Sequence, residues 1–242
     1  MALNNPHSVQ LEDPAAIPAG LLKELASHEG LFRSTRDTEG LVRGGPLAAI
    51  ADALTTHLRG QRIRDYHCTR ELEPGYFATH GLRLTAVDHH QADVLERCGH
   101  IFTVEEQAYM RRQWAEYFDP GQRRSREGKV WACLTRALVL SAGARPFFEA
   151  FGGEAIYMPL AENSSAAKKL AVLGRPVVVE VALPGNRLRS FCDAAWCVLN
   201  YHHRRINPDA HAMESEGYVC DEVPPSDVLD VVPLKDFTAA VR

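Results

Sequence analysis

Residues 66–84 read Tyr66-His67-Cys68-Thr69-Arg70, ten further residues, and then Gly81-Leu82-Arg83-Leu84. Residues 63–69 read as a strand. His67 and Thr69 are two apart near its end, so they share one face. Residues 71–80 read as a short helix or turn, and Gly81 stops it. Fourteen residues therefore carry the chain from the His, through a helical excursion, to a Gly-Leu turn.

Outward from this stretch the elements mix. Residues 177–183 are a run of β-branched and apolar side chains, as expected of a buried central strand. Shorter strands are expected at 130–134, 155–158, 216–220 and 228–232, the last two around Pro224-Pro225. Residues 46–59 read as a helix: Pro46 suits a first helical position, and Leu47, Ile50, Ala51, Leu54 and Leu58 form an apolar stripe. A strong helix is expected over 104–118, with Thr103 as cap, Glu106 completing a capping box, and Pro120-Gly121 ending it. Further helices are expected at 19–28, at 136–151 up to Gly152-Gly153, from an Asn163 cap to 173, and at 191–201. The first 17 residues read as loose and 123–129 as an exposed basic loop. Strands and helices without regular βαβ alternation imply an α+β fold. No G-x-G-x-x-G follows a strand, which argues against a Rossmann-type NAD site.

The chain has 242 residues, 45% hydrophobic and 24% charged, an ordinary globular composition. No apolar run approaches the ~20 residues of a membrane span, and residues 1–10 lack the apolar core of a secretory signal. A cytoplasmic location is expected, or export by a signal-independent route, with no membrane partner. The net charge of −4 argues against a general nucleic-acid coat. The six cysteines are scattered, without a Cys-x-x-Cys pair, and read as free thiols. His89-His90, Cys98-x-His100 and His202-His203 lack the compact paired spacing of a zinc site, so no metal is expected.

Three segments in order resemble the His-Tyr-Glu branch of the ADP-ribosyltransferase superfamily, which includes the poly(ADP-ribose) polymerases and diphtheria toxin. They are His67-x-Thr69-Arg70 through Gly81-Leu82-Arg83-Leu84, then Glu154-Ala155-Ile156-Tyr157-Met158, and Glu216-Gly217-Tyr218-Val219-Cys220-Asp221 opening a late strand. The resemblance implies a split, mixed β-sheet core of ADP-ribosyltransferase type over residues 62–242. A helical extension would precede it at 1–61, and a helical insertion would occupy about 90–150.

The resemblance also implies NAD⁺ as co-substrate and assigns roles. Breaking the nicotinamide–ribose bond builds positive charge on the ribose carbon, and Glu216 would stabilise that charge. His67 would hold a ribose hydroxyl. The Cys68 backbone and the Thr69 hydroxyl would grip the nicotinamide amide, and Tyr157 would stack on its ring. Arg70 would reach the diphosphate or adenine side, and Gly81 would close the turn. Glu214, two residues before Glu216, would orient an acceptor. The sequence departs from the family at Cys68, where Gly is usual, at Lys168, where a second stacking aromatic is common, and in the long His67–Tyr157 spacing; Tyr201 or Trp196 is an alternative second aromatic.

The implied activity is ADP-ribosyl transfer to a macromolecular acceptor, protein or nucleic acid, in a toxin, effector or defence protein with a possible neutralising partner. An NAD⁺ glycohydrolase, a tRNA 2′-phosphotransferase of related fold and a non-catalytic NAD⁺-binding module remain open. So do a structural reading of His67, Gly81 and Tyr157, Glu222 as the acting carboxylate, and a Cys68–His80 nucleophile pair.

Overall fold

The computed structural model describes residues 8–190, 192–213 and 215–241. In chain order the elements are β1 (Ser8–Val9), α1 (Ala19–Ala26), α2 (Glu29–Ser34), α3 (Thr38–Val42), α4 (Ala48–Arg59), β2 (Arg62–Glu71), α5 (Tyr76–His80) and α6 (Val87–Cys98). Then come α7 (Val104–Tyr117), α8 (Pro120–Arg126), β3 (Val130–Cys133), α9 (Arg136–Val139), α10 (Arg145–Glu149), α11 (Glu154–Tyr157) and α12 (Ser165–Val172). The chain finishes with β4 (Arg175–Pro184), β5 (Arg189–Ser190), α13 (Ala194–Ile206), β6 (Glu216–Val219), β7 (Val228–Pro233) and α14 (Leu234–Val241). The fold is α+β. Six strands follow the order β5-β6-β3-β2-β4-β7, and β1 adds to β2. The β2–β3 and β5–β6 pairings are antiparallel, and β1 runs parallel to β2 with Ser8 opposite Arg62.

Two compact units interleave along the chain. The first takes in Met1–Tyr66, Trp131–Val139 and Glu180–Val219, and the second His67–Val130, Leu140–Val179 and Cys220–Arg242. β2 and β4 each contribute residues to both.

The first unit has a core in which Leu25, Phe32, Leu47, Leu54 and Leu58 of the N-terminal helices pack with Ala195, Val198 and Leu199 of α13. The α4 stripe is buried as its spacing demands, although the helix begins at Ala48, two residues after Pro46. Of the N-terminal stretch read as loose, residues 1–7 lie outside the described residues and 8–17 are pinned: Leu11, Ala16 and Ile17 are buried in this core. Beneath α13 lies a directional polar chain. The Asn200 amide donates to Thr38 Oγ1 (2.7 Å) and to the His211 carbonyl (2.8 Å). Thr38 Oγ1 lies 2.8 Å from His203 Nδ1, and His203 Nε2 faces the Phe32 carbonyl at 2.8 Å. A carbonyl only accepts, so His203 Nε2 donates to Phe32. The Asn200 carbonyl also accepts from the Met213 amide (3.0 Å). Asn200→Ala strands these buried groups, and chemical denaturation should show a loss of about 2–4 kcal/mol.

The second unit has its own core of Val87, Val94, Phe102, Met110, Trp114, Phe118, Ile156 and Leu170. The expected capping box at α7 is present: Glu106 N donates to Thr103 Oγ1 (3.2 Å) and Thr103 N to Glu106 Oε2 (2.7 Å). The same carboxylate takes Lys169 Nζ (2.6 Å) and Ser165 Oγ (2.5 Å) from α12, so a local cap also ties two helices. The Lys169 ammonium, with Ser165 and the Thr103 amide, lowers the Glu106 carboxyl to about 2.

Several expected elements are corrected. Where a strand was expected at 155–158, residues 154–157 are helical, the Ile156 and Tyr157 amides turning back to the Gly153 carbonyl (3.0 and 3.1 Å). Of the basic run 123–129, expected as an exposed loop, residues 123–126 are helical and 127–129 form the turn that follows. Asp119 and Pro120 start a new helix, α8, where Arg123 pairs with Asp88 (2.6 Å) and Arg126 with Glu154 (2.8 Å). The 136–151 helix breaks into α9 and α10, because Pro146 lacks the amide to continue a helix but suits a first turn. The cap of α12 is Ser164, whose Oγ accepts from the Ala167 amide, not Asn163. The helix placed at 191–201 runs instead over α13 with Asp193 as its cap, residue 191 lying outside the described residues.

Candidate functional site

β2 carries the leading motif from an ordinary strand pattern. His67 and Thr69 are half-buried on one side, and Cys68 is buried on the other. Cys68 presents backbone rather than side chain on the His67 side.

Arg70 is committed elsewhere. Its Nε donates to the Leu173 carbonyl (2.6 Å), Nη1 to Phe148 (2.6 Å) and Nη2 to Gly174 (2.8 Å). The guanidinium closes the C-terminal end of α12, and burial lowers its pKa. These three bonds make Arg70 a strut of the second unit and leave its fork pointed at carbonyls rather than toward a diphosphate.

Gly75, at φ +86°, starts α5, and Gly81, at φ +70°, ends it. Leu82 N then donates to the Val223 carbonyl (2.8 Å), and Val223 N returns a bond to Leu82 (2.9 Å). A Cβ on Gly81 would lie 2.0 Å from the Val223 oxygen, so only Gly fits this crossing. Gly81→Ala should cost about 2–4 kcal/mol, read as a drop in the denaturation midpoint. The turn is thus required for folding, whatever else it does.

Tyr157 ends α11, half-buried against the second core. Burial pushes its phenol well above the ordinary value, so the ring is neutral. The Phe147 ring meets it edge-on, with centroids 6.4 Å apart. Phe147 is an aromatic neighbour that no sequence spacing singled out; it reaches Tyr157 from α10 through the fold. Of the alternative aromatics, Trp196 is covered by the Arg43 guanidinium at 5.1 Å, and Tyr201 is exposed. Close to the motif, Tyr76 stacks on His80 at 4.5 Å and meets Phe77 edge-on at 5.4 Å. His80 Nδ1 also faces the Tyr76 carbonyl at 3.0 Å, a contact within α5.

Glu216 is the first residue of β6 and is exposed. Its flanks are held tightly. Buried Ser215 accepts from the Leu134 amide at its carbonyl (3.1 Å) and donates through Oγ to the Cys192 carbonyl (3.3 Å). Gly217 leaves no room for a side chain against Leu134 and Leu188. An exposed carboxylate thus stands on a rigid strand end. Glu214 lies outside the described residues, and Glu222 is exposed just before the Leu82–Val223 bridge. His67, Cys68, Thr69, Arg70, Gly81 and Tyr157 belong to the second unit, and Glu216 to the first.

One residue beside the motif escaped the sequence reading. Asp65, two positions before His67, is fully buried, and neither carboxyl oxygen has a hydrogen-bond partner among the described residues. Burial drives its pKa well above the carboxylate range. Its negative form would act on Cys197, whose buried thiol is pushed up to about 12 mainly by desolvation. Such a thiol is protonated at neutral pH and is no nucleophile. Among the other histidines, half-buried His90 faces the Gly152 carbonyl at 2.8 Å. No protein-family model, curated protein or solved structure matches the chain at a significant level.

Proposed function

We propose that this protein cleaves the nicotinamide–ribose bond of NAD⁺ and transfers ADP-ribose to a macromolecular acceptor on a sheet of ADP-ribosyltransferase type. The observation that carries this reading is local. His67 and Thr69 stand half-buried on one side of a strand, and a glycine-bounded helix returns the chain through Gly81. A half-buried tyrosine and a strand-opening glutamate follow in the order the resemblance requires.

In this reading His67 holds a ribose hydroxyl. The Cys68 backbone and Thr69 hydroxyl fix the carboxamide, and the neutral Tyr157 ring lies against the nicotinamide. As the C–N bond breaks, its electron pair leaves with nicotinamide and positive charge grows on the ribose. The resemblance gives the Glu216 carboxylate the role of stabilising that charge until the acceptor's nucleophile bonds to the ribose carbon. Arg70 has no contact role here. A toxin, effector or defence setting suits such an activity.

The test is nicotinamide release from NAD⁺ by the purified protein, with free ADP-ribose measured in parallel. Release with stoichiometric free ADP-ribose makes water the acceptor and turns the reading into a glycohydrolase. NAD⁺ binding without release, with candidate acceptors supplied, makes the chain a binding module. The absence of both release and binding overturns the proposal.

A further inference from the structure

The methionines within the described residues sit in different settings. Met110 is fully buried, Met213 is half-buried, and Met158 is 39% exposed. Met158 follows Tyr157 at the C-terminal end of α11. Two donors converge on its sulfur. The Tyr117 hydroxyl lies 3.0 Å from Sδ and Arg126 Nη2 lies 3.1 Å from it. The same guanidinium sits 5.9 Å from the Tyr117 ring centroid and donates through Nε to Glu154 (2.8 Å), the first residue of α11. The Arg126 side chain is mostly buried, so this arrangement is built into the fold.

A thioether is a weak acceptor. A phenol and a guanidinium aimed at one sulfur exceed what an apolar side chain needs for packing. They match its oxidised form, because a sulfoxide adds a strongly polar oxygen where the two donors already point.

We infer that Met158 is a sulfoxidation site for peroxides, with Arg126 and Tyr117 as positioning residues that favour the reaction and hold its product. The sulfur lone pair attacks one oxygen of hydrogen peroxide. The S–O bond forms as the O–O bond breaks, and hydroxide leaves. That hydroxide takes the proton from the transferred oxygen and departs as water. Sulfur loses two electrons and the peroxide gains them. The guanidinium faces the negative charge on the departing oxygen, and then donates with Tyr117 to the sulfoxide oxygen. Arg126 also binds Glu154, so the oxidation state of Met158 is sensed at both ends of the short helix that bears Tyr157. This inference is independent of the NAD⁺ reading.

The experiment is a time course of the folded protein in hydrogen peroxide, with one-oxygen mass gains followed by peptide at each methionine. Met158 should oxidise about tenfold faster than Met213 and faster still than Met110. Tyr117→Phe, which removes only a hydroxyl, and Arg126→Gln should each slow Met158 several-fold relative to Met213 in the same sample. Oxidation of Met158 no faster than Met213 overturns the inference. So does an undiminished Met158 rate in Tyr117→Phe, which decides the matter alone if Arg126→Gln does not fold.

Discussion

Glu216→Gln is expected to lower nicotinamide release from NAD⁺ by about 10²- to 10³-fold, with the melting temperature and the NAD⁺ affinity nearly unchanged. The substitution keeps the shape of the side chain and removes one charge. Glu216 is exposed at a strand end whose flanks, Ser215 and Gly217, carry the packing. Its removal should therefore leave the fold intact. The carboxylate matters most where positive charge has grown on the ribose, so the loss belongs in turnover and not in ground-state binding. Glu222→Gln is the matched control, an exposed carboxylate six residues along the chain. Full turnover by Glu216→Gln would remove Glu216 from the mechanism, and loss confined to Glu222→Gln would transfer its role.

The second large effect concerns stability. Asp65 is raised in the folded state, so between the ordinary carboxylate pKa and its own folded value the native chain keeps a proton that the unfolded chain has released. Stability then falls as pH rises through that window, by about 1.4 kcal/mol per pH unit. It is fully present only below the unfolded value, near pH ~4. This is the reverse of the usual carboxylate, such as Glu106, whose lowered pKa adds stability that disappears only as pH falls. Asp65→Asn removes the titration. Urea unfolding of both proteins from about pH 4.5 to 8 should give a wild-type curve that descends relative to the Asp65→Asn variant across the lower part of that range. Subtracting the curves cancels Glu106 and every other shared group. Parallel curves would show that Asp65 is ionised in the native state.

Local signals in the sequence were enough to locate much of this. The capping box of α7 involves residues three apart, the β4 run is buried nearly end to end, and the α4 stripe repeats at helical spacing. The His67-x-Thr69 to Gly81 passage is equally local. What stayed hidden depends on distant partners. Arg70 looks like a free cation until carbonyls 78 to 104 positions away close on it. Asp65, between Arg64 and Tyr66, looks like a solvated charge because nothing nearby in sequence reports its burial. The helix at 154–157 has four residues, too few to show a period, and its β-capable Ile156 and Tyr157 favour the wrong reading. Phe147 reaches Tyr157 only because Pro146 breaks the expected 136–151 helix and starts α10.

The polar chain from Asn200 through Thr38 to His203 joins Thr38 to residues 162 and 165 positions away. On a ribosome adding about 5–20 residues per second, that gap is roughly 8–30 s of synthesis. Throughout it the apolar faces of α2, α3 and α4 have emerged, but the helix that covers them has not been made. The nascent chain therefore carries an uncovered greasy surface through that interval. Its yield in a cell should depend on chaperone supply, and slowing translation should aggravate that dependence rather than relieve it.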